Sequence, residues 1–296
     1  MTITAPRYEG RVAVGGGRYL GIAEFGPATS EQSIVWFHGT PGARRQIPEA
    51  ARRIADERGV RIIGIDRPGV GLSSGHRYRR LLDFTADLDI ALEKLEVDRF
   101  STVGLSGGAP YALAAAYALP TRVPTVGILG GVVPSGGDEG TGGGLVSLAT
   151  RFKPLLPLLV EPMGAMLTTI VRVAKPVGSQ ALDLYARFAP EGDRRVLAVP
   201  ENKEMFIDDL QNSGRHGMRA VAYDAILFTR YWGFHVCDLR VPVTWWQGGA
   251  DNIVPLAHAE HIVKLIPGAE LRVRPDDGHL GGLGIAEEVC DTVLAW

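Results

Sequence analysis

Cysteine is almost absent from this sequence. The chain has 296 residues but only two cysteines, Cys237 and Cys290. Neither belongs to a C-x-x-C pair or to a Cys/His spacing that holds zinc, so a structural metal site is not expected. Two cysteines allow one disulfide, but nothing in the pattern requires it. We therefore expect two buried free thiols.

The sequence also lacks a strong net charge. It has 31 Lys and Arg residues against 33 Asp and Glu residues, which gives a formal net charge of −2 at pH 7. This balance argues against a general polyanion-binding protein, and no nucleic-acid partner is expected. Two short basic runs, "GARR" at 42–45 and "YRR" at 78–80, are interpreted as solvent-facing sides of helices.

An uninterrupted apolar run long enough to cross a bilayer is missing as well. The most apolar stretch, "LLPLLVEPMGAMLTTIV" at 155–171, is interrupted by two prolines, a glutamate and a glycine. It fits a buried or groove-lining pair of helices better, and stable membrane insertion is not expected. The N-terminal "MTITAPRYEG" lacks a basic segment followed by an apolar run. We therefore expect no secretory signal and a cytoplasmic location.

What the sequence does contain is an alternation of strand-like and helix-like segments. Short apolar runs typical of buried strands include "SIVWFHG", "VRIIGIDRPG", "FSTVGLS" and "VPTVGILGG". Between them lie segments with helical periodicity, such as residues 46–58 and "LLDFTADLDIALEKLEV". This alternation predicts a mostly parallel sheet covered by helices on both faces.

The alternation breaks after Val133 and resumes at "VPVTWWQGG". The glycine-rich "PSGGDEGTGGG" is followed by roughly ninety residues of helical character with several prolines. We interpret residues 134–235 as a helical cap insertion that packs over the carboxyl edge of the sheet. Residues 1–133 and 236–296 are then the core domain.

One serine lies among glycines between a predicted strand and a predicted helix. Residues 104–108, "GLSGG", match the pattern G-x-S-x-G. A sharp strand-to-helix turn needs small neighbours and strains the backbone of the serine, which lifts its hydroxyl above the sheet. Ser106 is therefore a candidate nucleophile. The alternative is an ordinary glycine-rich turn.

A serine hydroxyl needs a base, and the base needs an orienting carboxylate. "DDGHLGG" supplies His279, and "QGGADNIVP" supplies Asp251. Each of the three residues follows a different predicted strand at its carboxyl end, where ligands bind in open α/β sheets. Asp276 and Asp277 are rival carboxylates, but they lie too near His279 in sequence for a favourable geometry.

Acyl transfer also needs two hydrogen-bond donors for the oxyanion of the tetrahedral intermediate. The backbone N–H of Gly107 can supply one, and Thr40 in the turn "FHGTPG" is the best candidate for the other. We interpret His38 as an orienting hydrogen-bond residue rather than a base. Asp224, in the predicted insertion, has no partner that the sequence identifies.

Five segments together resemble the α/β-hydrolase superfamily, in its branch with an H-G-x-P-G turn and an inserted, mobile cap. They are "FHGTPG", "DRPGVGLS", "GLSGGAP", "GGADNIVP" and "DGH", and the resemblance covers residues 10–133 and 240–296. It implies an α/β-hydrolase fold with a mostly parallel eight-stranded sheet. It also implies a nucleophile, an acid, a base and two oxyanion donors at Ser106, Asp251, His279, Thr40 and Gly107. Asp66 and Arg67 resemble residues that shape the loop beside the site.

The resemblance implies a reaction class. Relatives that open epoxides or cleave carbon–halogen bonds place aspartate where this chain has Ser106. We therefore expect a carboxylic ester hydrolase that forms an acyl-enzyme on a small-to-medium apolar ester and needs no cofactor or metal. Met163 and Met166 are expected to line the pocket or to pack the cap onto the core. The chain is expected to be a monomer or a homodimer.

Other activities stay open at this stage. An aminopeptidase that removes N-terminal proline is similar, but it would need cap carboxylates for the substrate amine, and Glu191, Glu201 and Glu204 show no recognisable arrangement. Carbon–carbon hydrolases and cofactor-free perhydrolases use similar triads. A non-enzymatic ligand receptor on the same fold is an alternative of a different class.

Overall fold

A single sheet forms the centre of the molecule. The structure, a computed structural model, describes residues 3–135, 139–140, 161–169, 178–213 and 217–296. Within these ranges the sheet has eight strands in the order β1-β2-β4-β3-β5-β6-β7-β8. They are β1 Tyr8–Gly15, β2 Arg18–Phe25, β3 Ser33–Phe37, β4 Arg61–Ile65, β5 Ser101–Leu105, β6 Val126–Leu129, β7 Val243–Gly248 and β8 Glu270–Arg274.

The sheet is parallel except at one edge. β1 pairs with β2, and β2 with β4, in antiparallel register, whereas every pairing from β4 to β8 is parallel. All residues of β3, β4, β5 and β6 are buried, as the continuous apolar runs predict for strands covered on both faces. The mostly parallel eight-stranded α/β fold is therefore confirmed.

Helices cover both faces of the sheet. Those described are α1 Glu49–Glu57, α2 Phe84–Lys94, α3 Ala109–Ala118, α4 161–169, α5 Gly178–Phe188, α6 Glu191–Ala198, α7 Pro200–Ser213, α8 Arg219–Phe228, α9 Leu256–Leu265 and α10 Ala286–Leu294. On one face of the sheet, α2, α3 and α9 share an apolar core with Val35 and Phe37 of β3. α1 and α10 share the other core with Ile34 and Trp36.

The chain between β6 and β7, residues 130–242, carries α4 to α8 and is called the β6–β7 segment below. The predicted insertion boundaries at 134 and 235 fall inside it and stay a prediction. Part of the apolar stretch at 155–171 lies outside the described residues, which include only 161–169 of it. Among the helices that are described, none combines the length and apolar character needed to cross a membrane.

The basic run "GARR" is not a solvent-facing helix side. Arg44 is buried and forms ion pairs with Glu9 at 2.6 Å and with Asp66 at 2.9 Å. Its neighbour Arg45 also binds Glu9, at 2.6 Å. Helix α1 begins only at Glu49, so this run lies in the loop before it. The prediction was wrong because acids from distant segments neutralise both arginines.

The expectation of two buried thiols is right for one cysteine. Both cysteines are free, and Cys290 in α10 is buried, which raises the pKa of its thiol to about 12. Cys237 is exposed in a short turn that precedes β7. A lone cysteine in a loop has no periodic pattern to indicate its exposure, and the expectation failed there.

Gly64 in β4 gives a test of the fold. A Cβ atom at this position would lie 1.8 Å from the carbonyl oxygen of Arg44. We expect Gly64→Ala to lower the free energy of unfolding by about 1–3 kcal/mol, because backbone atoms would have to move. Urea unfolding measures the effect. Gly75→Ala, with no heavy atom within 4 Å of the new Cβ, is the control. Equal midpoints for the two variants would contradict this packing.

Candidate active site

The predicted nucleophile lies on a strained turn. β5 ends at Leu105, and a 3-10 turn over Ser106–Gly108 leads into α3. Ser106 has a φ of +50°, a left-handed conformation that non-glycine residues rarely adopt. A Cβ at Gly108 would lie 2.1 Å from the carbonyl oxygen of Phe37, so only glycine lets the turn pass so close to β3. The turn holds Ser106 at the carboxyl edge of the sheet.

The structure brings the three predicted catalytic side chains together. The Oγ of Ser106 lies 2.9 Å from Nε2 of His279, and Nδ1 of His279 lies 2.8 Å from Oδ2 of Asp251. A carboxylate can only accept, so Nδ1 carries the proton and Nε2 accepts the hydroxyl hydrogen. This arrangement can activate a serine, and the catalytic roles of the three residues stay a prediction.

The Asp251 carboxylate is held from several directions. Its Oδ1 accepts the backbone N–H groups of Ile253 at 2.8 Å and Val254 at 2.9 Å. Its Oδ2 also accepts an N–H of the Gln247 side chain at 3.0 Å. The side chain is fully buried, so these bonds replace water as its partners. The carboxylate that faces His279 is therefore fixed in place.

The rival aspartates have other contacts. Asp277 is buried and accepts a hydrogen bond from Nε of Arg274 at 2.7 Å. Asp276 is exposed, and its backbone carbonyl accepts the N–H of Gly192 at 2.9 Å. Of the three aspartates that the sequence offered, only Asp251 contacts the imidazole of His279 among the hydrogen bonds of the described residues.

The two predicted oxyanion turns adjoin each other. A Cβ at Gly107 would lie 2.2 Å from Oγ1 of Thr40. The guanidinium of Arg67 donates to the carbonyl oxygens of Gly107 and Gly39 and to Oγ1 of Thr40. Arg67 thus ties the two turns together. Gly107 also lies in the turn that opens α3, where the helix dipole favours a negative charge.

His38 has the contacts of an orienting residue. Its Nδ1–H donates to the carbonyl of Gly39 at 2.8 Å, and its Nε2 accepts the backbone N–H of Arg67 at 3.2 Å. Complete burial, and then the nearby Arg67 charge, hold the pKa of His38 well below its usual value. The ring therefore stays neutral near pH 7 and links the Gly39 turn to the loop after β4.

Asp224, for which the sequence identified no partner, contacts this same cluster. Its Oδ2 lies 3.2 Å from a guanidinium nitrogen of Arg67, and its Oδ1 accepts the hydroxyl of Tyr111 at 3.0 Å. The Arg67 guanidinium lies over the Tyr111 ring at 5.3 Å. Burial raises the pKa of Asp224, and the Arg67 charge opposes that rise. Helix α8 is thereby fixed to the oxyanion turns.

A pocket of about 390 Å³ opens beside Ser106 and His279. This volume lies within the range of small-molecule sites. Most of its wall is apolar and comes from both the core and the β6–β7 segment, through Pro41, Leu105, Leu182, Tyr185, Phe206, Ile207, Ile253 and Leu280. Gln46 and Asp209 add polar groups. The pocket is suited to a mainly apolar ligand.

The two methionines expected near the pocket lie elsewhere. Met163 packs against Ala222 and Ile226 of α8. Met166 is 54% exposed. Met163 therefore packs helices of the β6–β7 segment against each other, which is neither of the two expected roles. Within the described residues, neither methionine lines the pocket beside Ser106.

Sequence reasoning missed Asp209, a buried acid in the pocket wall. Both of its carboxyl oxygens lie within hydrogen-bonding distance of the backbone N–H of Ala43, at 2.9 and 3.1 Å. Complete burial raises the pKa of Asp209 well above its usual value. Asp209 follows a second acid, Asp208, in the sequence, so no local pattern indicated its burial. In the described parts of the chain, no group of three or more His, Cys, Asp or Glu residues has the arrangement of a metal site.

The Arg67–Asp224 pair predicts strong energetic coupling. Arg67→Met leaves the Asp224 carboxylate buried without a cation, which should cost about 3–5 kcal/mol of unfolding free energy. Adding Asp224→Asn removes that charge and keeps an acceptor for Tyr111, so the double variant should regain part of the loss, although the hydrogen bonds from Arg67 to Gly107, Gly39 and Thr40 stay lost. Urea unfolding of the four proteins in the double-mutant cycle measures this. Additive losses would contradict a direct pairing.

Asp209 predicts a pH-dependent stability. Because its pKa is raised in the folded chain, that chain binds more protons than the unfolded one above about pH 4. The contribution of Asp209 to stability therefore falls as the pH rises through this window. Asp209→Asn, which cannot ionise, should gain stability relative to the parent chain between acid and neutral pH. Unfolding free energies of both proteins at several pH values check this, and a constant difference would contradict it.

Two curated relatives share 28% identity with the chain. Both are described as the dihydrolipoyllysine-residue acetyltransferase component of an acetoin cleaving system. The match to the Pseudomonas putida protein covers 95% of this chain and 67% of that relative. The match to the Cupriavidus necator protein covers 77% of this chain and 54% of that relative. The chain thus spans about half to two thirds of these longer relatives.

Solved structures and a family model give the fold family. An esterase from Exiguobacterium antarcticum superposes with a TM-score of 0.68 over 96% of this chain and 97% of its own, at 19% identity. Similarity at that identity shows the fold alone. A family model described as alpha/beta hydrolase fold matches residues 32–283, which include Thr40, Ser106, Asp251 and His279. The chain therefore belongs to the alpha/beta hydrolase fold family.

Proposed function

We propose that the chain is a serine hydrolase that cleaves a carboxylic ester of a small-to-medium apolar substrate through an acyl-enzyme on Ser106. One observation carries this proposal. The Ser106 hydroxyl lies 2.9 Å from an imidazole whose other nitrogen lies 2.8 Å from a buried carboxylate. Those distances suit transfer of the hydroxyl proton to His279.

The first step joins the substrate to the enzyme. The Ser106 oxygen attacks the ester carbonyl carbon while Nε2 of His279 takes the hydroxyl proton. The carbonyl oxygen becomes an oxyanion, which accepts hydrogen bonds from the backbone N–H groups of Gly107 and Thr40. Asp251 stabilises the imidazolium that forms. His279 then protonates the alcohol oxygen as the ester bond breaks, and an acyl-enzyme remains.

Water completes the cycle. His279 takes a proton from the incoming water, whose oxygen attacks the acyl carbon. Collapse of the second oxyanion breaks the bond to Ser106, and His279 returns the proton to the serine oxygen. Each turnover thus consumes one ester and one water and releases one alcohol and one carboxylic acid. All proton transfers use the one imidazole nitrogen that faces Ser106.

The pocket supports the substrate class. Its volume of about 390 Å³ and its apolar walls suit a short or medium acyl chain or a comparable alcohol group. Gln46 and Asp209 line part of the wall, so a substrate with one hydrogen-bonding group is also accommodated. Because burial raises the pKa of Asp209, its neutral form is favoured, which disfavours binding of a cationic amine there.

The curated relatives favour a second candidate activity. They are described as acetyltransferase components that act on a dihydrolipoyllysine residue. An acyl-enzyme on Ser106 could be discharged by a thiol in place of water, because His279 can take a proton from either. In that case the chain would transfer acetyl groups, and ester hydrolysis would be a side reaction.

The nucleophile is tested by substitution and by a covalent probe. Ser106→Ala should lower turnover of p-nitrophenyl butyrate by about 10³- to 10⁶-fold, because the variant has no hydroxyl to form the acyl-enzyme or to bind His279. A fluorophosphonate should label the parent chain and fail to label this variant. Ser30→Ala is the matched control, since Ser30 precedes β3 at the opposite edge of the sheet and should leave labelling and turnover unchanged.

A substrate panel distinguishes the alternatives. Acetate, butyrate and octanoate esters are compared with proline naphthylamide and with p-nitrophenyl acetate plus dihydrolipoamide. Turnover of the ester series supports the proposal. Acetyl-dihydrolipoamide formed faster than acetate favours the transferase, and proline release favours an aminopeptidase. Folded protein that the fluorophosphonate does not label would overturn the proposal and favour a binding protein.

A further inference from the structure

Helix α6 packs against the loop that carries His279. Asp193, in the first turn of this helix, is fully buried. Its Oδ1 accepts the backbone N–H of Gly278 at 3.0 Å and that of Leu280 at 3.0 Å. These are the two residues on either side of His279. One carboxylate oxygen therefore holds the backbone before and after the imidazole.

The contact between the helix and the loop is close on both sides. The N–H of Gly192 donates to the carbonyl of Asp276 at 2.9 Å. A Cβ at Gly192 would lie 1.9 Å from Oδ1 of Asp277, and one at Gly278 would lie 2.5 Å from Oδ2 of Asp193. Side chains are thus excluded at both glycines. The loop cannot move closer to α6 because the two are already in contact, and moving away would break the hydrogen bonds between them.

The other oxygen of the same carboxylate contacts the pocket wall. The hydroxyl of Tyr185, in α5, donates to Oδ2 of Asp193 at 3.0 Å, and Tyr185 also lines the pocket beside Ser106. Burial raises the pKa of Tyr185, so the hydroxyl keeps its proton and remains a donor. Tyr185, which lines the pocket, therefore also contacts the carboxylate that holds the His279 loop.

Burial of Asp193 needs an explanation that its own helix does not supply. A carboxylate removed from water is costly unless hydrogen bonds replace its hydration. Here three donors do so, and all of them come from the pocket wall or from the backbone beside His279. Two of the three hydrogen bonds thus hold the residues on either side of the predicted base.

We propose that Asp193 is a positioning residue, which holds the backbone on both sides of His279 so that the imidazole stays in line between Ser106 and Asp251. This inference rests on the proposed function, in which His279 is the base. The β6–β7 segment then contributes to the chemical step as well as to the pocket wall. An imidazole free to tilt away from Ser106 would lose the 2.9 Å contact on which proton transfer depends.

The kinetic test compares three substitutions. Asp193→Ala removes both acceptors and should lower kcat on p-nitrophenyl butyrate by about 10- to 100-fold, as for other groups that orient a catalytic side chain, with little change in KM. Asp193→Asn keeps an oxygen that accepts the two backbone N–H groups, so it should recover most of the loss. Asp183→Ala, which changes an exposed acid of α5 paired with Lys203, is the control and should match the parent chain.

A second readout does not depend on activity. The Nδ1–H of His279, hydrogen-bonded to Asp251, should give a downfield proton NMR signal in the parent chain and in Ser106→Ala. The signal should weaken or shift in Asp193→Ala and persist in Asp193→Asn. Hydrogen exchange of the Gly278 and Leu280 amides should quicken in Asp193→Ala. If the parent chain turns over no ester but these signals still depend on Asp193, the proposed function fails while the positioning role stands.

The opposite results would overturn the inference. A folded Asp193→Ala protein with parent kcat and an unchanged His279 signal would show that the base needs no support from α6. A rise in KM with unchanged kcat would assign Asp193 to the pocket wall alone. If Asp193→Ala does not fold, Tyr185→Phe carries the test, because it removes one of the three donors that hold the Asp193 carboxylate. This variant should lower kcat and quicken hydrogen exchange of the 278 and 280 amides, and parent values in both measurements would overturn the proposal.

Discussion

A hydrogen bond of 2.8 Å between the His279 imidazole and the buried Asp251 carboxylate is the interaction on which the candidate site depends. It decides which ring nitrogen carries the proton, and therefore which nitrogen can accept from Ser106. Both residues follow parallel strands, β8 and β7, and Ser106 follows β5, so the sheet brings their ends to one edge. The topology of the sheet thus brings together three residues that lie far apart in the sequence.

Three buried acids of the β6–β7 segment contact core loops near this site. Asp193 holds the loop of His279, Asp209 accepts the backbone N–H of Ala43, and Asp224 pairs with Arg67. Each acid thereby fixes a different core loop that borders the pocket. Hydrogen bonds with this directionality fix orientation in a way that apolar packing alone does not. These contacts therefore help to set the geometry of the core loops around the pocket.

Much of the core and the candidate site could be predicted from sequence, for a physical reason. Buried parallel strands are continuous apolar runs, so a few residues are enough to predict β3 and β5. The turn that carries a nucleophile needs glycines next to it, so the neighbours of Ser106 predict its role. Periodicity shows which face is buried but not what covers it. Arg44 and Asp224 were misjudged or unexplained because their partners lie far away in sequence. For the same reason, neither role expected for Met163 was right, since its neighbours come from α8.

In the proposed mechanism, the acceptor of the acyl group is not decided by the three residues at the reaction centre. His279 would take a proton from water or from a thiol with the same nitrogen, and the proposed oxyanion donors would be the same for both. Selection between them depends on what reaches the acyl carbon through the pocket. The walls of that pocket come from α5 and α7 as well as from the core, through Leu182, Tyr185 and Phe206. On the proposed mechanism, the choice of acceptor therefore depends on the pocket walls, including those from the β6–β7 segment, where the sequence carries no recognised motif, and not only on the motifs that identify the fold.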